Sequence, residues 1–132
     1  MRILGLYALT FLTFLGIDMI WLGFVGKPFY DKSLGYIKAD NVNWIAAILF
    51  YLIFVAGLLY FVVLPALKEG SMKKATLNGA ILGFLTYATF DLTSLAVLKD
   101  WPVDITIIDL CWGTFLGATV CTVSYYIGSK IL

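Results

Sequence analysis

Four long apolar stretches, three of them with an aspartate inside, constrain this chain more than any other feature of its sequence. They cover residues 3–25, 42–67, 75–98 and 103–127, and the aspartates are Asp18, Asp91 and Asp109. Each stretch exceeds the roughly 20 residues that a helix needs to cross about 30 Å of hydrocarbon. A carboxylate in such a segment is costly, so it usually faces the bundle interior and serves ion, proton or substrate handling.

The composition agrees with a membrane protein. Hydrophobic residues make up 62% of the 132 positions and charged residues only 13%, about half the charged fraction of soluble domains. The stretches are longer than the strands of a membrane barrel, and polar and apolar residues do not alternate along them as they do in such strands. The first is also too long for a signal peptide and contains Asp18. We therefore predict an all-α polytopic membrane protein, a four-transmembrane-helix bundle in which residues 1–132 form one transmembrane domain.

Several function classes are excluded at this stage. A net charge of +1 argues against nucleic acid as a partner. The chain contains no histidine, which removes the usual soft-metal sites and histidine-dependent catalysis. Cys111 and Cys121 lie ten residues apart, on different faces of one helix, and are interpreted as small packing residues. The residues form no metal-ligand cluster, and the sequence predicts no metal site, although oxygen-only ligation of Mg²⁺ or Mn²⁺ by the aspartates stays open. The cofactors and any catalytic residues are unknown at this stage.

The distribution of basic residues gives only a weak orientation signal. The side with both termini and the second loop has five, against four on the other side. They are Arg2, Lys68, Lys73, Lys74 and Lys130 against Lys27, Lys32, Lys38 and Lys99. Because basic loops stay in the cytoplasm, we expect both termini there.

A register shift of 73 residues lays the first stretch on the third. It matches Thr13 with Thr86 and Asp18 with Asp91, together with several leucines and one phenylalanine. The second and fourth stretches do not align in this way. The first and third helices would run in the same direction, so the hypothesis is a duplicated helical hairpin with a site at the repeat interface.

The three aspartates are expected at one depth in the membrane. Asp18 and Asp91 each lie seven residues before the end of a stretch, and Asp109 lies six residues after the start of the fourth, on the same side. At 1.5 Å per residue this is roughly 10 Å below the face that bears the first and third loops. We predict that the three carboxyl groups converge on one pocket there.

Two stripes of small residues continue from these aspartates. One is Gly79, Gly83, Tyr87 and Asp91, and the other is Asp109, Gly113, Gly117 and Cys121. Steps of four residues keep one helix face, and small-xxx-small pairs let helices approach closely in lipid. The third and fourth helices are therefore expected to pack along these stripes. The second stretch has no charged residue and is expected to be the most exposed to lipid.

Two tryptophans share a helix face with an aspartate, because Trp21 and Trp112 each follow one by three residues. Their indole groups can donate hydrogen bonds to the carboxylates or wall a pocket for a cation or a flat molecule. Core packing is the alternative explanation.

Three runs resemble the bacterial family called domain of unknown function 2177, or DUF2177. They are residues 18–22 (DMIWL), 87–93 (YATFDLT), and Trp101-Pro102 followed by residues 109–113 (DLCWG). Ser94 stands where the family's run has asparagine. The resemblance spans essentially the whole chain and implies a small integral protein of the bacterial inner membrane with four helices; it implies no reaction.

Three functions remain open from the sequence. The leading hypothesis is a protein that binds or transports a small ligand or cation, coupled to protons, at the aspartate cluster. Its candidate ligand-binding residues are Asp18, Asp91, Asp109, Trp21, Trp112, Tyr87 and Ser94. The alternatives are an enzyme that acts on a membrane-soluble substrate by carboxylate acid–base catalysis, and a structural or assembly subunit of a membrane complex. Four spans are few for a complete translocation path, so a homodimer is also considered.

Overall fold

The computed structural model describes residues 2–38 and 41–132, and these are helical with no strand. The helices are α1 (Arg2–Ile20), α2 (Lys27–Leu34), α3 (Trp44–Leu58), α4 (Leu64–Glu69), α5 (Met72–Val97) and α6 (Val103–Ile131). One π-helical turn (Trp21–Val25) follows α1 and a second (Leu59–Val63) joins α3 to α4. Within these described residues, four helical segments are long and apolar enough to span a membrane: Arg2–Val25, Trp44–Glu69, Met72–Val97 and Val103–Ile131. The predicted fold class is confirmed.

Both π turns occur where the sequence disfavours a regular α-helix. The first leads into Gly26, whose amide donates to the carbonyl of Trp21 at 2.7 Å, and Pro28 then opens α2. The second precedes Pro65, whose ring has no N–H and would clash with a carbonyl one turn earlier in an α-helix. A π turn is wider than an α-helical turn, so it accommodates the Gly26-Lys27-Pro28 segment in the first case and the proline ring in the second. Such turns are frequent next to functional sites.

The antiparallel pair α5 and α6 is held together along its glycines. A Cβ atom added to Gly79 would lie 2.5 Å from the carbonyl oxygen of Gly117, and one added to Gly83 would meet the carbonyl of Gly113. The two backbones are thus in direct contact, which only glycine permits. The expected packing of the third and fourth spans along their small-residue stripes is confirmed.

The fourth span is the centre of the bundle. Helix α6 contacts α1, α2, α4 and α5. In the most apolar window of each span, the buried share is 44% for the fourth, 39% for the second, 22% for the first and 17% for the third. The expectation that the second span is the most lipid-exposed is therefore wrong. Its aliphatic and aromatic side chains, including Tyr51, Phe54, Val55 and Leu58, form much of the core.

The bundle is closed at one end and open at the other. Near the loop between the second and third spans, α5 packs against α4 and the second π turn. Toward the first and third loops, α3 packs against α1 instead. This leaves space between α1, α3, α5 and α6 at the end of the bundle where the first and third loops lie.

The two helical hairpins differ in their connections. The first contains α2 and its flanking turns, whereas the second is closed by the short segment from Leu98 to Pro102. The duplication suggested by the 73-residue register remains a prediction.

The glycine contact between α5 and α6 should be sensitive to a single methyl group. We expect Gly83→Ala to destabilise the protein by about 1–3 kcal/mol, because its Cβ would meet backbone, which cannot rotate away. The matched control is Gly16→Ala, where an added Cβ meets nothing within 4 Å. It should be neutral or slightly stabilising. Thermal unfolding of both variants in detergent measures the difference, and equal behaviour would contradict this account of the packing.

Candidate functional site

The open end of the bundle contains a cavity of about 520 Å³. Its wall is built from α1, the first π turn, α2, α3, α5 and α6. The lining residues are Asp18, Trp21, Leu22, Tyr30, Ala47, Phe50, Tyr51, Thr86, Tyr87, Phe90, Asp109 and Trp112. Seven of the twelve are aromatic and two are acidic. The cavity is therefore an aromatic chamber with two carboxyl groups in its wall.

Asp18 is held by two neutral donors from other spans. The hydroxyl of Tyr51 on α3 donates to Asp18 Oδ2 at 2.8 Å, and the indole of Trp112 on α6 donates to Oδ1 at 3.3 Å. The aspartate is 4% exposed. These bonds tie α1, α3 and α6 together and supply the donors that a buried carboxylate requires.

Asp109 is held from the first loop. The hydroxyl of Tyr30 on α2 donates to Asp109 Oδ1 and accepts a 2.9 Å hydrogen bond from the indole of Trp21. Burial, and then the bond to the Asp109 carboxylate, raise the pKa of the Tyr30 phenol above its usual range. Tyr30 therefore remains a neutral donor at physiological pH.

The two tryptophans form one wall of the chamber. The rings of Trp21 and Trp112 are stacked, with centroids 4.4 Å apart and planes 8° from parallel. Trp21 also lies against Gly26, where a Cβ would come within 2.5 Å of its ring. Gly26 thus allows the indole to fold back over the π turn that bears it.

Asp91 lies behind the chamber rather than in its wall. It is fully buried, and neither carboxylate oxygen has a hydrogen-bond donor among the described residues. Its side chain is within hydrogen-bond reach of the Asp109 carboxyl group. The structure therefore brings Asp18 and Asp109 to the chamber and places Asp91 next to Asp109, outside the chamber wall.

The other candidate ligand-binding residues from the sequence also divide into those that line the chamber and one that does not. Trp21, Trp112 and Tyr87 line the chamber. The Tyr87 ring also covers Gly113, where a Cβ would clash with it. Ser94 is buried one turn after Asp91 on α5 and does not belong to the chamber wall.

Two tyrosines that hold the carboxylates were missed from the sequence. Tyr51 lies in the uncharged second span, and Tyr30 lies in a loop with no apolar span around it. A signal for Tyr51 did exist: it comes seven residues after Trp44, the first residue of α3, which is nearly the depth of the aspartates. Tyr30 had no such signal, because the fold of the first loop decides where α2 lies.

The chemistry of the chamber follows from its lining. It contains no lysine or arginine, and the donors to both carboxylates are neutral. In the described part of the chain, no three acidic or cysteine side chains are close enough to hold a metal ion. The chamber is suited to a positively charged ligand with an apolar body, since aromatic faces and carboxylates both attract cations.

Comparison with known proteins gives a family but no function. Residues 3–126 match the family DUF2177, described as "Predicted membrane protein". The chain therefore belongs to this family. No curated protein and no solved structure gives a significant match.

The bond from Tyr51 to Asp18 should stabilise the fold. We expect Tyr51→Phe to lower the free energy of unfolding by about 1–3 kcal/mol, because it leaves a buried acceptor with only the longer bond from Trp112. The ring and its packing against Phe14 are retained. The control is Tyr60→Phe, which removes a hydroxyl from an exposed side chain. Denaturation of both variants in detergent tests this, and equal stabilities would show that the hydrogen bond contributes nothing.

Proposed function

We propose that this member of the DUF2177 family of predicted membrane proteins binds a small organic cation in the aromatic chamber, as a binding or transport protein. The observation that carries the proposal is the pair of carboxylates, Asp18 and Asp109, in an aromatic wall without a basic residue. Their hydrogen-bond donors are neutral tyrosine and tryptophan side chains, so neither aspartate has a cationic partner among the described residues. A bound cation would supply the missing positive charge.

The size and surface of the chamber favour an organic cation over a bare metal ion. Its volume of about 520 Å³ lies within the range of roughly 300–1,000 Å³ that is typical of small-molecule sites. Mg²⁺ or Ca²⁺ would need six or more oxygen ligands close together, whereas the wall is mostly aromatic carbon. A substituted ammonium ion spreads its charge over an apolar body and can pack against the faces of Trp21 and Trp112.

The expected orientation of the chain determines which side of the membrane the chamber faces. With both termini in the cytoplasm of a bacterial inner membrane, as the count of basic residues favours, the chamber lies near the periplasmic face. Four spans offer little path through the rest of the membrane, so transport would require a second copy of the chain. We therefore assign binding to the single chain and translocation to a homodimer.

Binding of a quaternary ammonium ion tests this proposal. We expect purified protein to bind benzyltrimethylammonium and to bind its neutral carbon isostere, neopentylbenzene, much more weakly. Asp18→Asn and Asp109→Asn should each weaken binding of the cation by about tenfold or more, which corresponds to about 1.4 kcal/mol. Isothermal titration calorimetry measures the affinities.

The control for lost charge is Glu69→Gln. Glu69 is an exposed carboxylate at the opposite end of the bundle, paired with Lys74 at 2.6 Å, and its replacement should leave the affinity unchanged. The proposal fails if the neutral isostere binds as tightly as the cation. It fails equally if both aspartate variants bind like the wild type.

A further inference from the structure

Asp91 is a buried carboxyl group that the binding site does not explain. None of its side chain is exposed, both oxygens lack a donor among the described residues, and it does not reach the chamber. A buried ionised group without a partner costs several kcal/mol, and proteins rarely retain one. A proton on Asp91 or on its neighbour Asp109 would give this pair the donor that it lacks.

The glycine contact between α5 and α6 explains why these two carboxyl groups meet. Gly83 and Gly113 touch through their backbones, and the Tyr87 ring lies over Gly113. Asp91 follows Tyr87 by one turn on α5, and Asp109 precedes Gly113 by one turn on α6. Because the helices are antiparallel, one turn forward along α5 and one turn backward along α6 bring Asp91 and Asp109 to the same depth in the bundle. The two acids are therefore neighbours just beyond the glycine contact, with Asp109 one turn from Gly113 and Asp91 two turns from Gly83.

The charged and titratable groups around this pair are acids and phenols. Tyr87 on α5 and Asp109 on α6 face Asp91, while Tyr30 on α2 and Asp18 on α1 face Asp109. Tyr51 on α3 faces Asp18. None of these elements brings a lysine or arginine to the pair. A hydrogen bond between two carboxyl groups needs a proton on one of them, since two carboxylates can only accept.

We propose that Asp91 and Asp109 share one proton in the ligand-free protein, and that a cation bound beside Asp109 in the chamber displaces this proton to solvent. The inference rests on the proposed function and adds a coupling that the chamber alone does not require. Each binding event brings one cation to the chamber and releases one proton to solvent. The buried pair with its counter-charge therefore has a net charge of −1 before and after binding, so no additional unbalanced charge is buried.

Asp91 is then a positioning residue, because it acts on the ligand only through Asp109. An asparagine in its place resembles the protonated acid: its amide N–H can donate to Asp109 permanently, but it has no proton to release. Asp91→Asn replaces no residue of the chamber wall. The variant should still bind the cation while losing the exchange of cation for proton.

Proton release on binding can be counted directly. The probe is benzyltrimethylammonium, which has no titratable proton, so any proton released comes from the protein. Titration calorimetry at one pH in two buffers of different ionisation enthalpy gives the number of protons released per cation. We expect about one for the wild type and for Glu69→Gln, and about zero for Asp91→Asn. The affinity of the wild type should also rise with pH, by up to about tenfold per unit, while the pair retains its proton, and then level off.

The outcomes separate this inference from the proposed function. If the wild type does not bind the cation, the proposed function fails. If it binds without releasing a proton and with an affinity independent of pH, the proposed function stands and the shared proton is refuted. Release of one proton by Asp91→Asn would show that the proton does not depend on Asp91 and would also overturn the inference. If Asp91→Asn does not fold, the proton count and pH dependence of the wild type still decide.

Discussion

The direct contact between the backbones of α5 and α6 is the constraint on which the rest of the structure depends. Lipid supplies little hydrophobic drive for helices to associate, so close packing and hydrogen bonds must do so. Gly79 and Gly83 meet Gly113 and Gly117 with no side chain between them. This contact fixes the register of the hairpin and thereby decides that Asp91 faces Asp109. It also turns Trp112, on the neighbouring face of α6, toward Asp18 on α1. The acidic site thus follows from the packing of small residues.

The sequence allowed the fold and part of the site to be predicted, because membrane helices obey simple length and depth rules. Counting residues from the ends of the apolar stretches placed Asp18 and Asp109 at one level, and both line the chamber. The same counting could not show that Asp91 lies behind Asp109, since depth says nothing about the rotation of a helix. It also gave no position for Tyr30. Residue 30 lies on a short helix whose place depends on hydrogen bonds to the third loop and to the first turn of α6. Tyr36 donates to the Asp100 carbonyl, and Ser33 donates to the carboxylate of Asp104.

The expectation for the second span failed for a physical reason. Absence of charge in a span does not indicate exposure to lipid, because an apolar side chain is equally compatible with lipid and with a protein core. The buried residues of this span include Phe54, Val55 and Leu58, which differ little in character from its exposed residues. Amphipathic patterning, which separates the two faces of a soluble helix, is therefore almost absent from spans of this kind. The informative residue was Tyr51, whose hydroxyl needs a partner when it is buried.

The three aspartates illustrate how one bundle can give identical side chains different properties. Asp18 receives two neutral donors from two other spans, so its charge is solvated within the protein. Asp109 receives one donor from a short helix outside the spans, and its remaining surface is divided between the chamber and Asp91. Asp91 has no donor among the described residues and only another acid within reach. Moving from Asp18 to Asp91, the protein supplies progressively fewer donors, so the need for a proton or a cation increases in the same order. The donor supply, rather than the number of carboxylates, is what makes Asp109 the point where a ligand in the chamber and a proton behind it would compete.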